Sequence, residues 1–287
     1  MLPVALALGA AIFFSTGAVL TRKSMEREAE TYHALLATIG VTFVFSAAVA
    51  LWKFPLNVIV GRQVLPFVVA GLAVPVVSRM LIYMGYGKLG VARSISISGT
   101  TPLFSAILAL LVLGETFSRV VVAGIALAIG GIVLISEPHR ETKTWKLSAV
   151  LFPLGAALLF AIRYTLSRYG LFSSPALVGS TITSGTSLIM LALGGLLVPH
   201  RPLRELSLPT ARFLAGSGLA YTLAYWCMFG ALAGEKLAIV VPLLHTDPLW
   251  VLLFSSLFLR EKHPITPALL WGTGLVFVGS VLIIAGR

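Results

Sequence analysis

The chain of 287 residues is 58% hydrophobic and 11% charged, with a mean hydropathy of +0.99. A water-facing domain carries about 25% charged residues, so a chain this poor in charge turns most of its exterior to lipid. The net charge of +11 does not point to nucleic acid: Lys and Arg are scattered between apolar stretches, with no basic run and no aromatic-interleaved patch, and they fit juxtamembrane anchoring instead. The single cysteine, Cys227, rules out an intrachain disulfide and a cysteine-based metal site.

A membrane-spanning helix takes about 17–25 mainly apolar residues. In chain order, apolar runs bounded by polar breaks place spans at about 2–21, 32–52, 64–87, 90–113, 119–136, 147–168, 175–198, 211–234, 237–259 and 264–286. Runs of this length are too long for barrel strands, and in lipid a helix satisfies its own backbone polar groups. The expected fold class is an all-α integral membrane protein with ten transmembrane helices. Basic residues are about twice as frequent in the breaks after the odd-numbered spans, among them Arg22, Lys23, Arg27, Arg140 and Lys143, as in the opposite breaks. That bias places both termini on the non-cytoplasmic side.

An internal repeat divides the chain. Thr101-Pro102-Leu103, followed by an apolar run to Gly114-Glu115-Thr116, returns as Asp247-Pro248-Leu249 running to Arg260-Glu261-Lys262, 146 positions later. At the same offset Gly9-Ala10-Ala11 returns as Gly155-Ala156-Ala157 and Arg22 as Arg168. Gly124 and Gly131 match Gly272 and Gly279 at an offset of 148. The halves, 1–140 and 141–287, hold five spans each. An odd number of spans requires the second half to sit upside down relative to the first, a recurring transporter design.

The run Thr101-Pro102-Leu103-Phe104 leading to Leu113-Gly114-Glu115, the glycine-spaced fifth span with Gly124, Gly130 and Gly131, and their second-half echoes resemble the EamA-like branch of the drug/metabolite transporter superfamily. The resemblance covers nearly the whole chain. It implies two inverted five-helix repeats, a central cavity lined by spans 1, 3, 4, 6, 8 and 9, and mutual packing of spans 5 and 10. Arg260 stands where the first half has Gly114, a departure from the pattern that leaves the fold intact.

Ionisable groups inside spans are costly and usually face a cavity or a partner. Arg79 lies midway along the third span with Tyr83 and Tyr86 on the same face. Its guanidinium is read either as a fork for a carboxylate or phosphate or as half of a structural ion pair with Asp247. Arg93 is a further, more peripheral cation. Arg163, deep in the sixth span beside Tyr164, is read as a cavity cation or as one satisfied by carbonyls or Asp247. Tyr225, with Tyr221 one turn before it, is the repeat equivalent of Arg79, and Gly17 that of Arg163. His245 and Asp247 lie between Pro242 and Pro248, which weaken the helix locally. Asp247 is read as a proton carrier, a recogniser of a substrate amine or a counter-ion for arginine. His245 is read as a titratable group or a hydrogen-bonded wall residue. Arg79, Tyr83, Arg163, Tyr225, His245 and Asp247 form the candidate substrate-binding set. The hydroxyls of the seventh span (Ser180, Thr181, Thr183, Ser184) are read as packing, Glu115 and Glu261 as loop or helix-cap groups, and the paired glycines as the contact between halves, in preference to a dimer contact.

The expected function is a secondary transporter, an exporter by family default, of a small polar metabolite such as an amino acid or a related anionic or zwitterionic compound. It would work by alternating access, driven by a gradient or a partner. A phosphorylated metabolite or lipid-linked headgroup would use the same arginines, and a channel is the alternative of a different class. An enzyme is not expected: the sequence has no P-loop, no His-Glu-x-x-His and no Ser-His-Asp order. No cofactor or metal is expected. The expected partners are the substrate and the lipid bilayer, the expected state is monomer or homodimer, and the expected place is the cell's inner membrane.

Overall fold

Helix is the only regular structure among the described residues of the computed structural model, which are 1–27, 29–73, 77–78, 81–82, 84–85, 88, 94, 97–135, 147–196, 206–258 and 267–286. The helices in chain order are α1 (Leu2–Met25), α2 (Thr31–Lys53), α3 (Leu56–Val60), α4 (Leu65–Ala73), α5 (Thr101–Leu113), α6 (Arg119–Ile135), α7 (Leu151–Gly170), α8 (Ala176–Gly195), α9 (Leu208–Gly234), α10 (Leu237–Leu244), α11 (Asp247–Phe258) and α12 (Pro267–Ala285). By length and composition α1, α2, α8 and the stretch Ser148–Gly170 each suffice to cross a bilayer, shorter apolar helices fall in five of the other expected spans, and the long helix α9 occupies the eighth.

Differences from the sequence expectation have local causes; one is a turn at Gly99 and Thr100 inside the expected fourth span, just ahead of Pro102 at the start of α5. The short helix α3 and a 3₁₀ turn, Arg62–Val64, occupy what reads in sequence as a simple break before the third span. Pro55, extended at φ −69° and ψ 154°, forms the N-cap of α3. A proline is tolerated at such a start, where its missing N–H costs nothing. The ninth span is two helices, α10 and α11, with His245 and Thr246 in a turn between them. Pro242 and Pro248 bracket this break and withhold two ladder donors.

The chain forms two compact units, each drawn from both sequence halves. The first comprises Met1–Leu72, Leu166–Gly234 and Asp247–His263; the second comprises Ala73–Thr165, Glu235–Thr246 and Pro264–Arg287.

In the first unit α1 and α9 run antiparallel along their whole length. Gly234 meets Pro3, Gly230 meets Leu6, Gly9 meets Cys227, and Gly17 meets Tyr221. Thr21 and Ser217 share a 2.6 Å hydroxyl bond. Helix α2 runs antiparallel to α8, with Tyr32 against Gly195, Phe43 against Gly185, and Ser46 Oγ 3.2 Å from Ser180 Oγ. It runs parallel to α9, where Thr222 Oγ1 donates to Thr42 Oγ1 at 3.3 Å and Trp226 Nε1 to Ser46 Oγ at 2.7 Å. Thr183 and Ser187 of α8 reach the Phe67 and Gly71 carbonyls of α4 at 3.5 and 3.1 Å. The hydroxyls of α8 are therefore packing groups, as their sequence reading has it: they bond their own helix and its neighbours.

In the second unit α6 packs antiparallel on α12 at backbone distance. A Cβ at Gly124 would lie 2.7 Å from the Gly279 carbonyl, and one at Gly131 2.6 Å from the Gly272 carbonyl. The two contacts are repeat mates: adding 148 to one glycine of each pair gives a member of the other. The paired glycines are thus consumed by an intrachain contact between the halves.

These directions make the repeat inverted. Equivalent helices of the two halves, α2 with α8 and α6 with α12, lie antiparallel beside each other. The α1–α9 pairing also has its mate in the second unit. A Cβ at Gly9 would sit 3.8 Å from the Cys227 sulfur, and one at Gly155 3.4 Å from Leu81, and both residues of the second pair are shifted by 146 from those of the first.

Glu115 holds the start of α10. Its two carboxylate oxygens accept the Leu237 N–H at 2.8 and 3.1 Å, and Lys236 Nζ donates to the Thr116 carbonyl at 2.6 Å. A carboxylate on the first N–H of a helix satisfies an orphan donor and favours the positive end of the macrodipole. Gly114 prepares this geometry as a left-handed C-cap at φ 64°, ψ 20°, with the Glu115 N–H reaching back to the Ala109 carbonyl at 3.0 Å. Arg168, read in sequence as a repeat mate of Arg22 and as one of the basic residues of the breaks, caps α9 by donating from Nη1 to the Leu232 and Ala233 carbonyls at 2.6 and 3.1 Å. Glu261 lies outside the described residues.

Two predictions follow from this packing. Gly131→Val should force α6 and α12 apart and cost about 1–3 kcal/mol or more, whereas Gly130→Ala, whose added methyl meets nothing within 4 Å, should be neutral or stabilising by thermal unfolding in detergent. Glu115→Ala strips a buried donor of its partner and should cost about 1–3 kcal/mol; Glu115→Gln, which retains an acceptor oxygen, should recover part of that loss.

Candidate functional site

The break in the ninth span is where backbone polar groups lose their helical partners in an apolar setting. The turn recovers some of them locally: the His245 N–H reaches the Val241 carbonyl at 3.1 Å, and Thr246 donates its N–H and its hydroxyl to the Leu243 carbonyl at 3.3 and 2.8 Å. On the far side of the turn, the Asp247 carbonyl accepts the Ser15 hydroxyl of α1 at 3.0 Å, an oxygen that also lies 2.8 Å from the Ala11 carbonyl. Asp247 opens α11, where its carboxylate sits at the positive end of the helix.

Within the first unit the candidates Tyr225 and Asp247 both meet α1 at adjacent residues. Ser15 holds the Asp247 backbone, and the Phe14 ring stands edge-on to Tyr225, with centroids 5.3 Å apart and planes at 86°. Tyr221 packs on the same Phe14 ring at 5.7 Å and 64°. Gly17 makes room for it: a Cβ there would lie 2.5 Å from the Tyr221 ring. The result is a wall of three aromatic rings on α1 and α9 that includes two phenols, a mix of apolar face and polar tip typical of small-molecule sites. Phe14 is not among the sequence candidates, although it shares a helix face with Gly17 three residues on.

Within the second unit Arg163 of α7 is buried, 5% exposed. Its Cζ lies 5.8 Å from the centroid of the neighbouring Tyr164 ring, and Tyr164 stands edge-on to the His245 ring at 6.2 Å and 88°. The structure therefore groups Arg163, Tyr164 and His245. His245 Nε2 is buried with no hydrogen-bond partner among the described residues. Ser105 of α5 likewise buries an unpartnered hydroxyl, among the described residues. Arg79, Tyr83 and Arg93 lie outside the described residues.

Two sequence repeats built of apolar helices, glycine-mediated packing between the halves and buried polar groups at a proline-flanked helix break define a helical membrane protein with internal symmetry. The sequence profile of the EamA-like transporter family matches residues 1–137 and 147–285, and the chain belongs to that family. It is a multi-pass membrane protein and a membrane transporter of the drug/metabolite type. The fold is similar to that of a solved crystal structure of a protein with a TM-score of 0.79 at 15% identity, covering 99% of this chain and 97% of the other. A search of the curated proteins finds no match.

The Gly17–Tyr221 fit is open to a double-mutant test. Gly17→Ala should lower thermal stability by about 1–3 kcal/mol through overpacking. Gly17→Ala in a Tyr221→Ala background should cost much less, because the ring that the methyl meets is gone.

Proposed function

We propose that the chain crosses the bilayer ten times and is a secondary transporter of small polar metabolites bearing a carboxylate, with amino acids and related organic acids as the leading class. Alternating access, export from the cell and an inner-membrane location complete the reading. The observation that carries it is the burial of Arg163 within an apolar span, beside Tyr164 and His245. A guanidinium stays charged at any accessible pH, and its placement inside a span is expensive unless it serves a partner or a pathway.

Arg79 is the second cation of the proposed site, because it is the repeat equivalent of Tyr225, which lies on the aromatic wall of the first unit. Tyr83 stands one helical turn from Arg79 on the same face. Together with Asp247, the arginines suit a solute with a carboxylate and, in the zwitterionic case, an amine. A guanidinium offers paired donors to a carboxylate, and Asp247 offers an acceptor to an ammonium. Tyr225 and His245 add hydrogen-bonding edges to an otherwise apolar lining.

A thermal-shift screen of the purified protein against amino acids, organic acids and phosphorylated metabolites tests this reading. A carboxylate-bearing ligand should stabilise the protein, as a ligand that binds only the folded state must. The shift should disappear in both Arg163→Ala and Arg79→Ala. A shift indifferent to both substitutions would overturn the arginine assignment, and a response confined to phosphorylated compounds would replace the carboxylate by a phosphate.

A further inference from the structure

We propose that the cationic corner between the carboxyl end of α1 and the amino end of α9 binds the phosphate headgroup of an anionic phospholipid, with Lys23 and Arg27 as its ligands. Lys23 Nζ lies 5.1 Å and Arg27 Cζ 5.2 Å from the centroid of the same Phe213 ring. The quadrupole of the ring attracts each cation but does not screen one from the other. An anion shared by both does.

Among the described residues, the ordinary partners for these two charges are engaged elsewhere. The terminal carbonyls of α1 have other donors: Thr21 O takes the Ser24 hydroxyl, Arg22 O the Glu26 N–H, and Ser24 O the N–H groups of Arg27 and Ala29. Of the neighbouring acids among the described residues, Glu26 is paired with Arg22 at 3.1 Å and Glu30 takes part in the capping box of α2; Glu28 lies outside the described residues. Neither Lys23 nor Arg27 meets a carboxylate at ion-pair distance among the described residues. Arg212, exposed on the first turns of α9 beside Phe213, adds a third cation to the same corner.

The surroundings favour a lipid as the source of the phosphate. Met25 and Leu208 are exposed, at 43% and 65%, at the same helix ends as the cations. Apolar side chains open to acyl chains beside cations at headgroup height are the arrangement by which a juxtamembrane basic cluster holds an anionic lipid. This corner also lies on the membrane face where the basic residues of the sequence concentrate.

Native mass spectrometry of the full chain in detergent, titrated with phosphatidylglycerol and with phosphatidylcholine, tests the site. Phosphatidylglycerol should be retained in preference to phosphatidylcholine. The double variant K23Q/R27Q should lose about thirtyfold in phosphatidylglycerol affinity, from two contributions of the size a basic residue makes at an anionic surface. K23R/R27K should retain binding, and so should R119Q, which removes a cation from another part of the fold. If the double variant does not elute as a single species, K23Q and R27Q alone should each lose about fivefold. Equal retention of the two lipids, or unchanged phosphatidylglycerol binding in K23Q/R27Q, would overturn the proposal. So would displacement of the lipid by millimolar inorganic phosphate, which would mark a site for a free anion.

Discussion

A backbone N–H or C=O in hydrocarbon has no water to turn to, and this constraint organises the molecule. Regular helix satisfies it almost everywhere. Among the described residues the ladder is interrupted within a span at the proline-flanked turn of His245 and Thr246 and at its repeat equivalent, the turn of Gly99 and Thr100. Just past the His245 turn the Asp247 carbonyl accepts the Ser15 hydroxyl of α1, and at the opposite end of α10 Glu115 holds the first N–H. In the second unit Arg163 and Tyr164 lie beside His245 of this break, and irregular backbone at membrane depth is tolerated where it lines a cavity or is buried in protein.

Two repeats of one design produce units that are alike in frame and unlike in chemistry. The pairing of Gly9 with Cys227 and of Gly155 with Leu81 shows one helix pairing used twice. On that shared frame the first half places Gly17, against which Tyr221 packs, and the second half places Arg163. Divergence at equivalent positions gives the first unit an aromatic cluster and the second unit a buried cation. The glycine contacts between α6 and α12 show no such divergence, since any side chain there would push the two backbones apart.

Much of the frame was readable in the sequence, and the reasons are specific. The offset of the glycines gave the α6–α12 contact because only glycine permits carbonyls that close. The hydroxyl run of α8 was readable as packing because the family resemblance places the seventh span at the periphery, and its hydroxyls do bond carbonyls or neighbouring hydroxyls. Glu115 was readable as a cap in kind, but its partner Leu237 is 122 positions away, and periodicity reports the face a residue occupies without reporting what lies opposite. The same limit hid Phe14, an ordinary apolar residue of the first span until Tyr221 and Tyr225 are set against it. It also hid the role of Arg168, whose charge reads as a topology signal while its guanidinium ties off the end of α9. The break at His245 was foreshadowed by its two prolines. The grouping of Arg163 with Tyr164 and His245 needed the tertiary fold.

The central claim is that this chain carries a carboxylate-bearing solute through a site that depends on a buried arginine. Counterflow in proteoliposomes addresses it most directly: vesicles loaded with unlabelled amino acid or organic acid are diluted into a trace of the labelled compound. The account predicts saturable, transient accumulation of label with wild-type protein and its loss with Arg163→Ala at equal incorporation. Electrical conductance without saturation, or counterflow that survives loss of the arginine, would contradict it.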